Sequence, residues 1–161
     1  MTDHVIPGSC IMEVPSPLCA ELQGVITAEF YDESGIKPTN IIYCDKQNSA
    51  KVTVDFSGSD LARLFCLDWC VALSFETCGP AKEFELPAQR RQIKICETPT
   101  SVFDFVFPPY TFDCDVEGCG TVYHMCVTVT AFDPCGKPAP FAGFCKVGPF
   151  MAYKPGTHIT P

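Results

Sequence analysis

The longest run of alternating apolar and polar residues lies in Thr121–Gly136 (TVYHMCVTVTAFDPCG), where it covers residues 123–131 and is followed by the predicted turn Asp133–Gly136. Successive side chains of a β-strand point to opposite faces, so this pattern predicts a strand with one face on a core. The predicted inward face consists of Tyr123, Met125, Val127, Val129 and Ala131. The predicted outward face consists of His124, Cys126, Thr128 and Thr130. We expect the rest of the chain to be arranged around this strand.

The same alternation predicts further short strands, over Gln23–Asp32, Ala50–Phe56, Leu67–Phe75, Gln92–Glu97 and Ser101–Phe107. A last pair of short strands is predicted around Phe141–Lys146 and Phe150–Tyr153. One helical turn is predicted at Leu61–Phe65, with Ser59 or Asp60 as its N-cap. About seven to ten strands with turns roughly every 8–12 residues are typical of an antiparallel β-sandwich, immunoglobulin-like or jelly-roll.

The 161 residues are enough for one domain with a core of ordinary size. Residues 1–20 hold Pro7, Pro15 and Pro17 and show no sustained period, so we predict an extended N-terminal arm, at most an edge strand. This arm either lies on its own domain or reaches a neighbouring subunit. Residues 21–154 are predicted to form the sandwich domain, and residues 155–161 a polar C-terminal tail.

Composition agrees with a sheet and narrows the range of partners. Thirteen Phe favour strands, while fifteen Pro and eleven Gly divide the chain too often for long helices. The net charge is −8 and the eleven basic residues are scattered, so we expect no nucleic-acid partner and no anionic membrane surface. No apolar run approaches the roughly 20 residues that cross a bilayer, so no membrane insertion is expected.

Cysteine is the most unusual feature of the composition. Twelve cysteines occur, at positions 10, 19, 44, 66, 70, 78, 96, 114, 119, 126, 135 and 145. Such density indicates an oxidising compartment. The opening Met1–His4 has no basic or apolar region of a signal peptide. Three explanations stay open: a removed or replaced leader, oxidation after release from a cytosol, or reduced thiols that hold metal.

The position of the cysteines within the alternating pattern suggests what they do. Five of them fall on the face opposite the predicted core: Cys66, Cys70, Cys78, Cys96 and Cys126. We expect these to pair across neighbouring strands or with an arm, a loop or a second subunit laid on that face. If the domain is covered on both faces, the face on which a cysteine falls says less about its role. Cys10 and Cys19 lie on the predicted arm and are candidates for disulfides between chains.

Two sets of residues are candidates for binding a metal ion. Cys66 and Cys70 lie four positions apart on a predicted strand, or about 13 Å, which is too far to share one zinc ion. Asp113, Asp115 and Glu117 match the first half of an acidic calcium loop. The twelfth position of an EF-hand loop would be His124 instead of glutamate, so a solvated turn is favoured over a calcium site. No other cofactor is expected.

Catalytic patterns are missing from the sequence. The chain has no G-x-S-x-G, G-x-G-x-x-G, P-loop or H-E-x-x-H motif. His124 and Cys126 share a predicted face about 7 Å apart along the strand. A cysteine in a disulfide is not a nucleophile, however, and the other histidines, His4 and His158, lie in the predicted arm and tail. We therefore expect that the protein is not an enzyme.

Two functions fit these observations. The first is a structural subunit that assembles with copies of itself into a filament, coat or surface layer through disulfides within and between chains. A sandwich with a cysteine-bearing arm resembles, in architecture only, subunits of bacterial spore coats and appendages. The second is a secreted, disulfide-stabilised binding module for a protein or carbohydrate. Either function places the protein outside the cell or on a cell or spore surface; a reduced, metal-holding protein is the third interpretation.

Overall fold

The computed structural model describes residues 8–12, 24–57, 66–94, 100–116 and 119–153. Every element in these ranges is a β-strand, which confirms the all-β prediction. The strands are β1 (Gly8–Ile11), β2 (Val25–Tyr31), β3 (Ile41–Tyr43), β4 (Asn48–Asp55), β5 (Cys66–Thr77), β6 (Phe84–Glu85), β7 (Gln89–Lys94), β8 (Thr100–Phe107), β9 (Asp115–Val116), β10 (Cys119–Phe132) and β11 (Pro138–Tyr153). The helical turn predicted at Leu61–Phe65 lies outside the described ranges.

One sheet has four antiparallel strands in the order β1-β2-β4-β8. Its strands keep the predicted alternation: on β4, Ala50, Val52 and Val54 are buried, whereas Lys51 between them is exposed. β1 forms the edge of this sheet and pairs Cys10 with Ile26 on β2. The described part of residues 1–20 thus includes a short edge strand.

The other sheet has seven strands, and β10 lies inside it between β5 and β11. β3 runs parallel to β11, while the other described pairings of this sheet are antiparallel. β6 and β7 both pair with β5, and β9 pairs with β10. The stretch with the longest alternating pattern is therefore an interior strand with a neighbour on each side.

The inward faces of the two sheets share one hydrophobic core. Phe30 from the four-stranded sheet packs against Phe75 and Phe150 of the seven-stranded sheet, with ring centroids 6.4 and 5.2 Å apart. Phe112 fills the space between them, 5.0 Å from Phe75 and 5.9 Å from Phe30. Trp69 is buried among these layers as the pattern predicts. Most of the described phenylalanines therefore fill the core, although Phe144 is exposed.

The two short strands predicted around Phe141–Lys146 and Phe150–Tyr153 form one continuous strand, β11. Its pairing with β10 shifts between Tyr123 opposite Phe150 and Met125 opposite Val147. This bulge takes Pro149 out of the hydrogen-bonding ladder, in which a proline cannot donate. Gly148 adopts a φ of 131°, a conformation that L side chains rarely adopt. The strand therefore continues beyond a Gly-Pro step that the sequence pattern marks as a break.

No helix long and apolar enough to cross a membrane occurs in the part of the chain that the structure describes.

Candidate functional site: free thiols on the outer face of the seven-stranded sheet

One disulfide joins the two sheets. Cys10 on the edge strand β1 is bonded to Cys145 on β11, and the two Cα atoms lie 5.5 Å apart. Cys145 is fully buried and Cys10 packs against the core. The bond therefore fastens the edge of the four-stranded sheet to the long strand of the other sheet.

A second disulfide anchors a loop. Cys44 follows β3 directly and is bonded to Cys114, which lies just before β9, with the Cα atoms 6.0 Å apart. Cys44 is buried, and Cys114 packs against the core. Next to the bond, the amide of Tyr110 donates to the Cys44 carbonyl at 2.6 Å. The bond thus holds the segment between β8 and β9 on the edge of the seven-stranded sheet.

Three cysteines whose side chains the structure describes on the outer face of this sheet carry free thiols. Cys70 and Cys126 lie on β5 and β10, and Cys78 lies at the end of β5. Cys70 is opposite Thr130 and Arg90, and Cys126 is opposite Ser74 and Lys146. Because a disulfide needs Cα atoms roughly 4.4–6.8 Å apart, cysteines that do not face one another across strands cannot bond without moving the backbone.

Five side chains on this outer face form what we call the thiol cluster: Glu76, Cys78, His124, Cys126 and Lys146. Glu76 on β5 is opposite His124 on β10, and Lys146 on β11 is opposite Cys126. The ammonium of Lys146 donates to Glu76 Oε2 at 2.8 Å, so this ion pair spans the central strand β10. Cys78 Sγ lies 3.5 Å from His124 Nδ1. Three neighbouring strands thus bring two thiols, an imidazole and an ion pair together.

The two thiols of the cluster differ in exposure. Cys126 is only 3% exposed although it faces away from the core, since it lies beneath the ion pair of Glu76 and Lys146. This burial, followed by the charge of the Glu76 carboxylate, raises the pKa of the Cys126 thiol. Cys78, in contrast, is exposed at the rim of the sheet. We therefore expect Cys126 to stay a protonated, unreactive thiol near neutral pH.

The backbone around Cys78 is anchored by hydrogen bonds. Its amide donates to the carbonyl of Val122 on β10 at 3.0 Å. The Thr77 hydroxyl lies 3.2 Å from the Gly79 carbonyl and 2.9 Å from the Ala81 carbonyl and donates to them. Gly79 has a φ of 153°, which few residues other than glycine adopt. The Cys78-Gly79-Pro80 turn therefore presents the thiol in a defined direction next to His124.

A further exposed thiol, Cys135, lies in the turn between β10 and β11. The amide of Gly136 donates to the Asp133 carbonyl at 2.9 Å, and the amide of Lys137 donates to Asp133 Oδ1 at 2.8 Å. Ten residue steps along β10 separate Val122, beside Cys78, from Phe132, beside this turn. At about 3.3 Å per residue, this separation is on the order of 30 Å. Cys78 and Cys135 therefore lie at opposite ends of β10.

The structure describes only some of the cysteines for which the sequence predicts disulfides. Cys10 is bonded to Cys145 of the same chain, because the edge strand places it beside β11, so it has no thiol for a neighbour while this bond is intact. Cys19 and Cys96 lie outside the described residues. The backbone of Cys66 pairs with Lys94, and its side chain is not described. The pairing predicted for the outward cysteines is not made between described cysteines of this chain.

The acidic loop forms a hairpin. β9 (Asp115–Val116) pairs with Cys119 and Gly120 at the start of β10, which places Glu117 in the undescribed connection. Asp113 is exposed, and its backbone amide and carbonyl are both bonded to the Tyr123 hydroxyl, at 2.9 and 3.0 Å. Among the described residues, no three His, Cys, Asp or Glu side chains are placed to hold a metal ion.

Parity along the strands did not reveal the contact between Cys78 and His124. The alternating pattern places His124 on the same face as Cys126, which is nearer along the chain. The contact instead crosses from β5 to β10, where Thr77 is opposite Tyr123 and Glu76 is opposite His124. Such a contact depends on the register between strands, which one strand's pattern does not specify. The turn signal Cys78-Gly79-Pro80 at the end of β5 was the available clue.

No model of a known protein family matches the chain, and no curated protein matches it either.

Proposed function

We propose that the chain is a structural subunit of a filament, coat or surface layer, joined to copies of itself by disulfides between outward-facing cysteines. The observation that carries this proposal is the presence of two exposed free thiols, Cys78 and Cys135, at opposite ends of β10. The chain also holds internal disulfides, as expected of a protein that works in an oxidising place. Exposed thiols in such a place tend to form further disulfides.

The position of the two thiols favours a head-to-tail bond, from Cys78 of one copy to Cys135 of the next. A bond between two different surface patches does not close on itself as a twofold contact does, so it extends into a ring or an open filament. Repeats along such a filament would follow the long axis of β10. An N-terminal arm bearing Cys19 would add a second link, in keeping with the predicted sandwich of immunoglobulin-like or jelly-roll type.

The second candidate is a secreted, disulfide-stabilised binding module that acts as a monomer. The internal bonds of Cys10 to Cys145 and Cys44 to Cys114 favour it, since such bonds stabilise small secreted domains. Both candidates place the protein outside the cell or on a cell or spore surface. They differ in whether the exposed thiols join one copy to another.

The first experiment is denaturing electrophoresis with and without reductant, after free thiols have been trapped with an alkylating agent. Crosslinked assembly predicts a ladder that collapses on reduction to the 17.6 kDa monomer. Cys70→Ser is the matched control, because Cys70 is a free thiol on the same sheet but is only partly exposed. A monomer with alkylated Cys78 and Cys135 after oxidation would contradict the proposal and leave the binding module.

Mixing two variants tests whether the bond runs from Cys78 of one copy to Cys135 of the next. Cys78→Ser keeps Cys135, and Cys135→Ser keeps Cys78. A head-to-tail bond predicts that neither variant alone forms a bond through its remaining cysteine of this pair, and that an equimolar mixture gives a dimer carrying one Cys78–Cys135 bond. A Cys78–Cys78 bond in Cys135→Ser alone would instead identify a symmetric contact. Peptide mapping under non-reducing conditions identifies the bonded pair in each case.

A further inference from the structure

We propose that Cys78 and His124 form a reactive thiol site that attacks low-molecular-weight disulfides. Cys78 is exposed and its Sγ lies 3.5 Å from His124 Nδ1, within hydrogen-bonding distance for sulfur. An imidazole at this position can accept the thiol proton and stabilise the resulting thiolate. This is the arrangement of a nucleophilic thiol and an adjacent base.

The two groups are positioned by different strands. Cys78 is held at the end of β5 through its amide bond to the Val122 carbonyl, 3.0 Å away. His124 lies in the interior of β10, directly opposite Glu76. The contact between them therefore depends on the register of β5 and β10, which is set over ten residue pairs from Thr77 opposite Tyr123 to Asp68 opposite Phe132.

Charged and titratable groups from all three neighbouring strands face this pair. They are Glu76 on β5, Cys126 on β10 and Lys146 on β11. The hydrogen bond to Glu76 raises the pKa of Lys146, and the charges of Cys126 and Cys78 act in the same direction. The ammonium thus stays protonated near neutral pH and lies close enough to Cys78 for their charges to interact. Because this ammonium is paired with Glu76, the group placed to accept the Cys78 proton is His124.

The first chemical step is thiol–disulfide exchange. The proton of the Cys78 thiol moves to His124 Nδ1, and the thiolate attacks one sulfur of a disulfide R–S–S–R. A Cys78–S–S–R bond forms while the original S–S bond breaks, and the leaving R–S⁻ takes the proton to become R–SH. The protein thiol has been oxidised to a mixed disulfide, and one sulfur of the reagent has been reduced.

A second step, which rests on the proposed function, completes the link between copies. The Cys135 thiolate of a second copy attacks the Cys78 sulfur of the mixed disulfide and displaces the remaining R–SH. Overall, two protein thiols become one disulfide, and one R–S–S–R becomes two R–SH. The site would thus activate the Cys78 end of the subunit before the Cys135 end.

The test measures the first step on the folded monomer under limiting reagent, so it does not require assembly. The probe is the aromatic disulfide 5,5′-dithiobis(2-nitrobenzoic acid), with mass-spectrometric mapping of the modified cysteine. Cys135 is the internal reference, because it is also exposed but lies in the turn at the opposite end of β10. The variant is His124→Gln, which keeps a polar side chain at this position. A free thiol is only a few per cent ionised at neutral pH, so full proton transfer raises its rate by at most about 30-fold.

We expect Cys78 to react about tenfold faster than Cys135 at pH 7, and His124→Gln to remove this advantage while the Cys135 rate stays unchanged. The wild-type advantage should shrink at alkaline pH, because hydroxide ionises an exposed thiol without help from an imidazole; a merely structural role of His124 would not give this profile. Equal rates for the two cysteines in the wild type, or an advantage that survives in His124→Gln, would overturn the proposal. Assembly is read separately from the gels of the mixed variants, so failure of one proposal is distinct from failure of the other.

Discussion

Where the structure describes their side chains, core-facing cysteines form disulfides and outward-facing cysteines carry free thiols. Cys145 and Cys44 face the core, and each is bonded to a partner on another element. Cys78, Cys126 and Cys70 lie on the outer face of the seven-stranded sheet and carry free thiols. Whether a described cysteine is bonded therefore depends on its position in the fold. In the core, cysteines from separate elements come together. On the outer face, the strand register fixes the neighbours of Cys70 and Cys126, and those neighbours are not cysteines.

This difference separates two roles of cysteine within one chain. The inward bonds link residues far apart in sequence, by 135 and 70 positions, and so restrict the unfolded chain strongly. The outward thiols restrict nothing within the chain, and the exposed thiol of Cys78 remains available for exchange. The same residue type thus stabilises the fold on one side of the sheet and provides reactive groups on the other.

The largest expected effect comes from removing an inward bond. Replacing Cys10 and Cys145 together with alanine should lower the free energy of unfolding by about 4–5 kcal/mol, because the bond closes a long loop in the unfolded chain. Urea denaturation followed by tryptophan fluorescence measures this, with Trp69 as the reporter.

Cys70→Ser is the matched control for the disulfide variant. A change at a half-buried, unbonded position away from the core should stay within about 0.5 kcal/mol of the wild type. Equal effects of the two changes would remove the distinction between bonded and free cysteines.

A smaller loss of stability is expected when the hydroxyl of the buried Tyr123, on β10, is removed. The Tyr123 hydroxyl accepts from the amide of Asp113 and donates to its carbonyl, at 2.9 and 3.0 Å. Tyr123→Phe leaves both groups without this partner and should cost about 1–3 kcal/mol. Urea denaturation at neutral pH measures the loss, and a change below 0.5 kcal/mol, the roughly neutral range for surface sites, would show that water replaces the hydroxyl.

Within the thiol cluster, exposure should separate the two cysteines by rate. Cys126 is buried beneath the ion pair and its pKa is raised, first by burial. We expect iodoacetamide to modify it at least about tenfold more slowly than Cys78 in the native protein. Mass-spectrometric mapping over a time course gives both rates, and labelling in denaturant should make them similar. Comparable native rates would mean that the ion pair opens freely.

Much of this contrast was accessible from sequence, because alternation along a strand depends on neighbouring residues only. The inward positions of β10, such as Met125 and Val127, are buried as predicted, and the all-β fold follows from such patterns. Cys126 was also placed correctly on the outward face, although the ion pair above it was not foreseen. Burial of an outward thiol depends on the neighbouring strands, which one strand's pattern does not contain.

The disulfides could not be predicted, because each joins elements that are distant in sequence. The bond of Cys10 to Cys145 requires that β1 pair with β2 and also come beside β11. Spacing alone leaves the connectivity of many cysteines open. The sequence pattern likewise predicts two short strands where the structure has the single strand β11. The bulge that accommodates Pro149 arises from the pairing of β11 with β10, which the pattern of one strand does not contain.

The smallest expected effect is a change in stability at alkaline pH. Burial raises the pKa of Cys126 and of Tyr123, and it raises the pKa of Tyr31 to about 12. Groups with a raised pKa in the folded state bind their protons more tightly there than in the unfolded chain. Their contribution to stability is complete below the unfolded pKa values, about 8.5 for Cys and 10 for Tyr, and is lost as the pH rises towards the folded values. The free energy of unfolding should therefore fall progressively between about pH 8 and 12.

Cys126→Ala should reduce the first part of this decline, because the residue that titrates first is gone, and its effect should be smaller than that of Tyr123→Phe. Glu76→Gln is the sharper variant. The Glu76 carboxylate adds to the rise in the Cys126 pKa after burial, so removing its charge should weaken the decline near pH 9–10 while Cys126 remains. Urea midpoints at pH 7 and pH 9.5 measure both variants. A decline that Glu76→Gln leaves unchanged would assign the raised pKa to burial alone and make the ion pair a cover over the thiol without an electrostatic role.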